Sequence, residues 1–162
     1  MPANEFAIRL LLAAALGSTL GLEREIKRKP AGLRTNMLIA VGSALFTVMS
    51  IHLGHAGGND DRISSAIVTG IGFLGAGAIM RHRDSVTGMT TAATIWVNAA
   101  VGVAAGAGQF AMAGNATLIT LLVLAALGPA EAYFERRSFS PSAGDEAPPS
   151  ARGGRPSPRH RR

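Results

Sequence analysis

Ile67-Val68-Thr69-Gly70-Ile71-Gly72-Phe73-Leu74-Gly75-Ala76-Gly77-Ala78-Ile79-Met80 is apolar throughout, uncharged, and carries glycine at four positions. In a water-soluble helix each interior glycine costs about 1 kcal/mol relative to alanine. Between helices in lipid the same small side chains let neighbouring backbones approach closely. The letters also spell Gly70-x-Gly72-x-x-Gly75, the glycine spacing of a dinucleotide-binding turn. That turn needs a preceding strand, a following helix and an acidic residue some way downstream. Here the apolar run continues through the glycines, and Trp96 stands about where the acid should be. The stretch is therefore predicted to be a membrane helix, with Gly70, Gly72, Gly75 and Gly77 as helix-packing or partner-contact residues.

Outward from it, the chain divides into five apolar runs, approximately Phe6–Leu22, Thr35–Leu53, Ile63–Met80, Met89–Ala107 and Phe110–Leu127. Each is close to the ~20 residues needed to cross about 30 Å of hydrocarbon. The fold class expected is all-α: a polytopic membrane helix bundle of about five transmembrane helices over residues 1–137. The first run is read as a retained helix, not a signal peptide. Met1–Phe6 has no basic residue, and the run leads into Glu23-Arg24-Glu25 instead of a small-residue cleavage site. Helix five is expected to stop near Gly128-Pro129, with Tyr133, Phe134 and Glu135-Arg136-Arg137 as an interfacial anchor. Residues 138–162, rich in Ser, Pro, Gly, Ala and Arg, are expected to be a disordered basic cytoplasmic tail near anionic lipid.

The net charge of +6 and the pI near 11.3 would point to nucleic acid in a soluble protein. In a membrane protein the distribution of charge matters more, and no nucleic-acid partner is expected. Fourteen lysines and arginines fall on one side of the predicted spans, against Arg9 and Arg62 on the other. The positive-inside bias then places the N-terminus outside and the C-terminus in the cytoplasm. Arg9 is expected to snorkel back to the outer interface. With no cysteine in the chain, disulfides and thiol chemistry are excluded.

Small and polar residues recur along one stripe of several helices. Helix one has Ala13, Gly17 and Gly21; helix two has Asn36, Ala40, Ser43 and Thr47. Helix four has Thr90, Thr94, Asn98, Gly102 and Gly106 at four-residue spacing. These are packing or partner-contact positions, and interhelical hydrogen bonds are expected from Thr94 or Asn98.

His52, His55, Asp60 and Asp61 lie between helices two and three. Asn59 or the aspartates suit a helix N-terminus; the histidines and aspartates read alternatively as divalent-metal ligands, at a spacing that matches no closed site. At the cytoplasmic end, Glu23, Arg24, Glu25, Arg34, Arg81 and Arg83 form a predicted charge cluster. Glu23 or Glu25 is expected to pair with Arg34 or an arginine of the loop after helix three. With Asp84, these carboxylates have a rival reading as a magnesium sensor. No catalytic triad, HExxH or phosphate-binding Gly-Lys-Ser/Thr motif occurs, so no enzyme, cofactor or committed metal site is expected.

Gly21-Leu22-Glu23-Arg24-Glu25, Ala31-Gly32-Leu33-Arg34-Thr35-Asn36, Arg62-Ile63, Gly70-Ile71-Gly72-Phe73-Leu74-Gly75-Ala76-Gly77 and Thr91-Ala92-Ala93-Thr94-Ile95-Trp96 resemble the bacterial MgtC/SapB family, in order, from roughly Leu10 to Leu127. The resemblance implies a small multi-pass inner-membrane protein linked to adaptation to low magnesium. In virulence-associated members it further implies survival in macrophages and restraint of the proton-driven ATP synthase. The chain departs from those members in helix four, where Thr90 and Val97 replace an asparagine and a cysteine. It also has a basic tail where many members have a folded cytoplasmic domain.

Two functions follow as expectations. One is a non-enzymatic membrane regulator acting through helix–helix contacts, its partner another membrane protein such as ATP synthase or a second copy of itself within the bilayer. The other is a small transporter or channel for magnesium or another ion. The middles of the predicted spans carry no acid or base to mark an ion route, leaving Asn98, Thr94, Thr47, Ser43 and backbone near the glycines to line one.

Overall fold

The computed structural model describes residues 1–54, 61–83 and 85–138, with side chains at 1–53, 65–83 and 85–127. In chain order the elements are α1 (Ala3–Ile26), α2 (Leu33–Gly54), α3 (Asp61–Gly77), β1 (Met80–His82), β2 (Ser85–Thr87), α4 (Met89–Gly106) and α5 (Phe110–Ser138). Four helices are long and apolar enough to cross a membrane: Ala3–Ile26, Leu33–Leu53, Met89–Gly106 and Phe110–Leu127. The chain is a multi-pass membrane helix bundle.

Two expectations about boundaries need correction. The third apolar run does not stay helical to Met80. After Gly77 the chain tightens, with the amides of Ala78 and Ile79 donating to the carbonyls of Gly75 and Ala76 at 3.1 Å each. Met80 then opens an antiparallel hairpin in which Met80 faces Thr87, Arg81 faces Val86 and His82 faces Ser85. The hairpin closes at Gly88, whose φ of +88° and whose approach to Ala78, where a Cβ would lie 1.9 Å from the carbonyl oxygen, demand glycine. The second correction concerns α5, which runs through Pro129 to Ser138. Proline removes one intrahelical donor, to the carbonyl of Ala125, but here it does not end the helix. Met1–Gly128 forms one compact unit, and the part of α5 beyond it belongs to a second unit, Pro129–Arg162. The 55–60 loop and residues 139–162 lie outside the described residues.

Helix α2 occupies the centre, with α1 and α4 packed against it and α3 against α4. The core is built of small side chains: Ala13, Ala40, Ala44, Val101, Ala105 and Ala113. A second cluster of Ile67, Ile71, Ile95 and Ala99, flanked by Ala31, Ile39, Ala78 and Val103, joins α3 to α4. The large apolar residues face outward, with Leu11 and Leu38 each 69% exposed and Phe73 80% exposed. This inverts the pattern of a water-soluble core. It is what lipid as solvent dictates: bulky chains gain nothing by leaving hydrocarbon, while small ones allow close helix contact.

Candidate functional site

Two glycine seams fix the spacing of the three central helices. A Cβ at Gly17 would lie 2.6 Å from Ala40 Cβ and 2.8 Å from the carbonyl oxygen of Asn36. At Gly21 it would approach Leu33 Cα to 2.7 Å. On the other side of α2, a Cβ at Gly102 would stand 2.3 Å from the carbonyl oxygen of Ala40, and one at Gly106 would stand 2.5 Å from that of Ala44. Helix α2 therefore lies against bare backbone on both flanks.

Polar atoms enter where the backbones are closest. Asn98 is fully buried; its Nδ2 donates to the backbone carbonyl of Asn36 at 2.6 Å and to Asn36 Oδ1 at 3.1 Å. Asn36, also fully buried, passes the chain on, its Nδ2 donating to the carbonyls of Ala31 and Gly32. Asn98 Oδ1 has no hydrogen-bond partner among the described residues. Thr94 is buried but turns its hydroxyl onto its own helix, donating to the Thr90 carbonyl at 2.8 Å; Thr90 itself is exposed. The interhelical bond expected from Thr94 or Asn98 is made by Asn98.

Nearer the end of α1, Arg24 is only 4% exposed, and its Nη2 donates to Thr91 Oγ1 on α4 at 2.8 Å. Its Nε has no partner among the described residues. The neighbouring Glu23 has its ion-pair partner elsewhere: Lys27 Nζ lies 2.7 Å from Glu23 Oε1, one turn on along the same chain. Glu23 Oε2 is buried and without a hydrogen-bond partner among the described residues. Lys27 Nζ also donates to the Leu124 carbonyl of α5 at 2.9 Å. Glu25 Oε2 accepts the amide of Leu33, the first residue of α2, at 3.2 Å, so it serves as a remote N-cap.

The expected pairing of Glu23 or Glu25 with Arg34 or a hairpin arginine is thus corrected. Glu23 has Lys27 as its ion-pair partner, and Glu25 accepts the Leu33 amide across a turn that holds Arg28 and Ala31 in left-handed conformation at φ 52° and 56°. Arg34, Arg81 and Arg83 are exposed. The structure joins Arg24 to Thr91, Glu25 to the start of α2 and Asn98 to Asn36, and leaves those three arginines at the surface. Thr91 as Arg24's partner was not among the candidates from sequence. The signal available was spacing, since Arg24 follows Gly21 by three residues and shares its buried face.

The glycines of α3 are differently placed. An added Cβ at Gly70, Gly72 or Gly77 would meet nothing within 4 Å, whereas at Gly75 it would touch Ala92 at 3.7–3.8 Å. Of these four α3 glycines only Gly75 packs against a neighbour among the described residues.

At the opposite end of the bundle Arg9 reaches along its stem toward the helix ends. Its Nη1 donates to the carbonyl of Gly106, the last residue of α4, at 2.7 Å, and its Nη2 to Glu5 Oε1 at 2.5 Å. Glu5, Arg9 and His52 line a cavity of about 390 Å³ with Met1, Val48 and Ile51. Among the described residues no group of three or more histidine or acidic side chains could hold a metal; His55, Asp60, Asp61 and Asp84 lie outside them or have no described side chain.

The sequence model of the MgtC family matches residues 10–133. A protein named "Putative magnesium transporter YhiD" from Escherichia coli K12 is 45% identical over 127 residues, 74% of this chain and 59% of that protein. "Protein MgtC" from Salmonella typhimurium is 47% identical over 116 residues, 72% of this chain and 49% of that one. "Uncharacterized protein slr0014" from Synechocystis is 42% identical over 134 residues, covering 83% and 57%. The chain spans about half to three-fifths of the length of these relatives. No solved structure matches it.

Proposed function

The chain belongs to the MgtC family, and from that premise we propose that it is a non-enzymatic regulator of the bacterial inner membrane that serves adaptation to low magnesium. It acts through helix–helix contact with another membrane protein, the ATP synthase implied by the resemblance or a second copy of itself. One observation carries this reading: the open face of α3. A Cβ added at Gly70, Gly72 or Gly77 would meet nothing within 4 Å among the described residues, and Phe73 beside them is 80% exposed. Small faces of this kind are where transmembrane helices dock. Asn36 and Asn98 are spent on packing within the bundle, and α3 groups three open glycines around one exposed phenylalanine.

The test is photocrosslinking in native membranes from Phe73 or Gly72, both accessible, and not from Asn98 or Gly102, which are buried under α2. A discrete adduct with a membrane protein or with a second copy, lost on Gly72→Leu, supports the reading; the absence of any adduct overturns it.

A second reading, transport of magnesium, has a specific observation in its favour. Asn98 Oδ1 and Glu23 Oε2 are buried oxygens without partners among the described residues, and hard cations take oxygen ligands. The name of the E. coli relative points the same way. Magnesium uptake by the pure protein in proteoliposomes, abolished by Asn98→Ala, would promote this reading over the first.

A further inference from the structure

The segment joining α3 to α4 is a two-stranded hairpin with no third strand among the described residues, and all residues of both strands are exposed. A lone two-stranded hairpin is marginally stable at best in water. Its polarity changes along its length. The base carries Ile79, Met80 and Val86, respectively 41%, 60% and 51% exposed. The far end carries His82, Arg83 and Ser85, and Arg81 sits between, opposite Val86.

The hairpin directly follows one apolar helix and precedes a membrane-spanning one, which sets it at the bilayer surface. The α1–α2 turn lies at the same end, since Ala31 packs with Ala78 on one cluster. Arg28, Lys29 and Arg34 of that turn are exposed. Glu23 is in an ion pair with Lys27 and Glu25 accepts the Leu33 amide, and the five cations of the two segments outnumber Glu25 and Asp84. Among the described residues none of Arg28, Lys29, Arg34, Arg81 and Arg83 makes an ion pair.

We propose that the hairpin strands Met80–His82 and Ser85–Thr87 with Arg83, together with Arg28, Lys29 and Arg34, are a docking surface for the anionic phospholipid headgroups of the bilayer in which the bundle sits. The apolar base rests at the boundary between acyl chains and headgroups. Arg81 and Arg83 reach the lipid phosphates, whose paired oxygens suit the guanidinium fork. Charge complementarity selects anionic over zwitterionic lipid, and the exposed Met80 and Val86 select a bilayer over a soluble anion.

The absence of cysteine makes single-site labelling straightforward. The full chain carrying Val86→Cys with an environment-sensitive fluorophore is reconstituted into phosphatidylcholine vesicles with rising brominated phosphatidylglycerol. Quenching should show phosphatidylglycerol preferred over brominated phosphatidylcholine by about fivefold or more, the factor expected per surface cation. Arg81→Gln with Arg83→Gln should abolish the preference, and Arg81→Lys with Arg83→Lys should retain most of it. Equal quenching by the two lipids, or a preference unchanged in the glutamine variant, overturns the proposal. Loss of the preference in excess soluble glycerophosphoglycerol would assign the site to a free phosphodiester and overturn the bilayer claim. A second measurement needs no charge variant: the label at Val86→Cys should emit to the blue of the same label at Ser85→Cys. Water-like emission from both would show that the hairpin stands clear of the membrane.

Discussion

Asn98 on α4 reaches Asn36 on α2 through one amide nitrogen that serves two acceptors, the Asn36 backbone carbonyl at 2.6 Å and its side-chain oxygen at 3.1 Å. The donor–acceptor direction is thereby fixed, because rotating the amide would set oxygen against oxygen. Asn98→Ala should lower the unfolding free energy in detergent by about 1–2 kcal/mol, the upper range for interhelical bonds in membrane bundles. Asn98→Asp should cost more, since a carboxylate would face two oxygen acceptors in a buried site. The pair Asn98→Ala and Asn36→Ala should be clearly non-additive in a double-mutant cycle; additive losses would show that the contact contributes little.

The glycines separate into two classes, and alanine substitution should divide them. Gly102→Ala and Gly106→Ala drive a Cβ onto α2 backbone oxygens at 2.3 and 2.5 Å, and overpacking of this kind costs about 1–3 kcal/mol. Gly17→Ala should behave likewise. Gly70→Ala, Gly72→Ala and Gly77→Ala meet nothing and should be neutral or stabilising by up to about 1 kcal/mol each. Thermal midpoints of the purified variants decide this. Destabilisation at Gly72 in the isolated chain would mean that α3 is covered within the bundle.

Much of this architecture was legible because lipid imposes simple demands. Apolar length gave the helices, and four-residue stripes of small residues gave the faces on which Gly17, Gly21, Gly102 and Gly106 lie. What the letters left open was which small residues meet a neighbour. Gly70 and Gly102 look alike in sequence, but one is open and the other sits on Ala40, a difference set by the tertiary position of each helix. The ion pairing was misread for a related reason. Like-sided charges were matched by topology, whereas a turn with two left-handed residues folds Glu25 back onto the start of α2, and Lys27 lies one helical turn from Glu23. Local partners reach a carboxylate before distant ones can.

That local pairing makes Arg34 dispensable for folding. Arg34→Ala should change stability by no more than about 0.5 kcal/mol, as for an ordinary surface substitution. Glu25→Ala, by contrast, removes the acceptor for the first amide of α2 and should cost about 0.5–2 kcal/mol, the range for loss of a cap. Glu25→Gln keeps an acceptor oxygen and should recover most of the loss. Equal effects of Arg34→Ala and Glu25→Ala in chemical denaturation would restore the pairing of these two residues.

Arg9 offers the sharpest test of how α4 ends. Its guanidinium donates to the carbonyl of Gly106 at 2.7 Å, where the helix leaves carbonyls unsatisfied and where the dipole favours a cation by about 0.3–2 kcal/mol. The chain turns immediately afterwards at Gly108, with φ at +79° and room for a Cβ only 3.0 Å from Arg9 Nη2. Arg9→Ala should therefore destabilise by about 1–2 kcal/mol, and hydrogen exchange should rise in the last turn of α4 before it rises elsewhere. Arg9→Lys keeps the charge and should lose less. Glu5→Gln removes only the more exposed half of an i,i+4 pair and should cost under about 1 kcal/mol. If Glu5→Gln proved as damaging as Arg9→Ala, with exchange unchanged in α4, the arginine would be anchoring α1 alone and the capping role would fall.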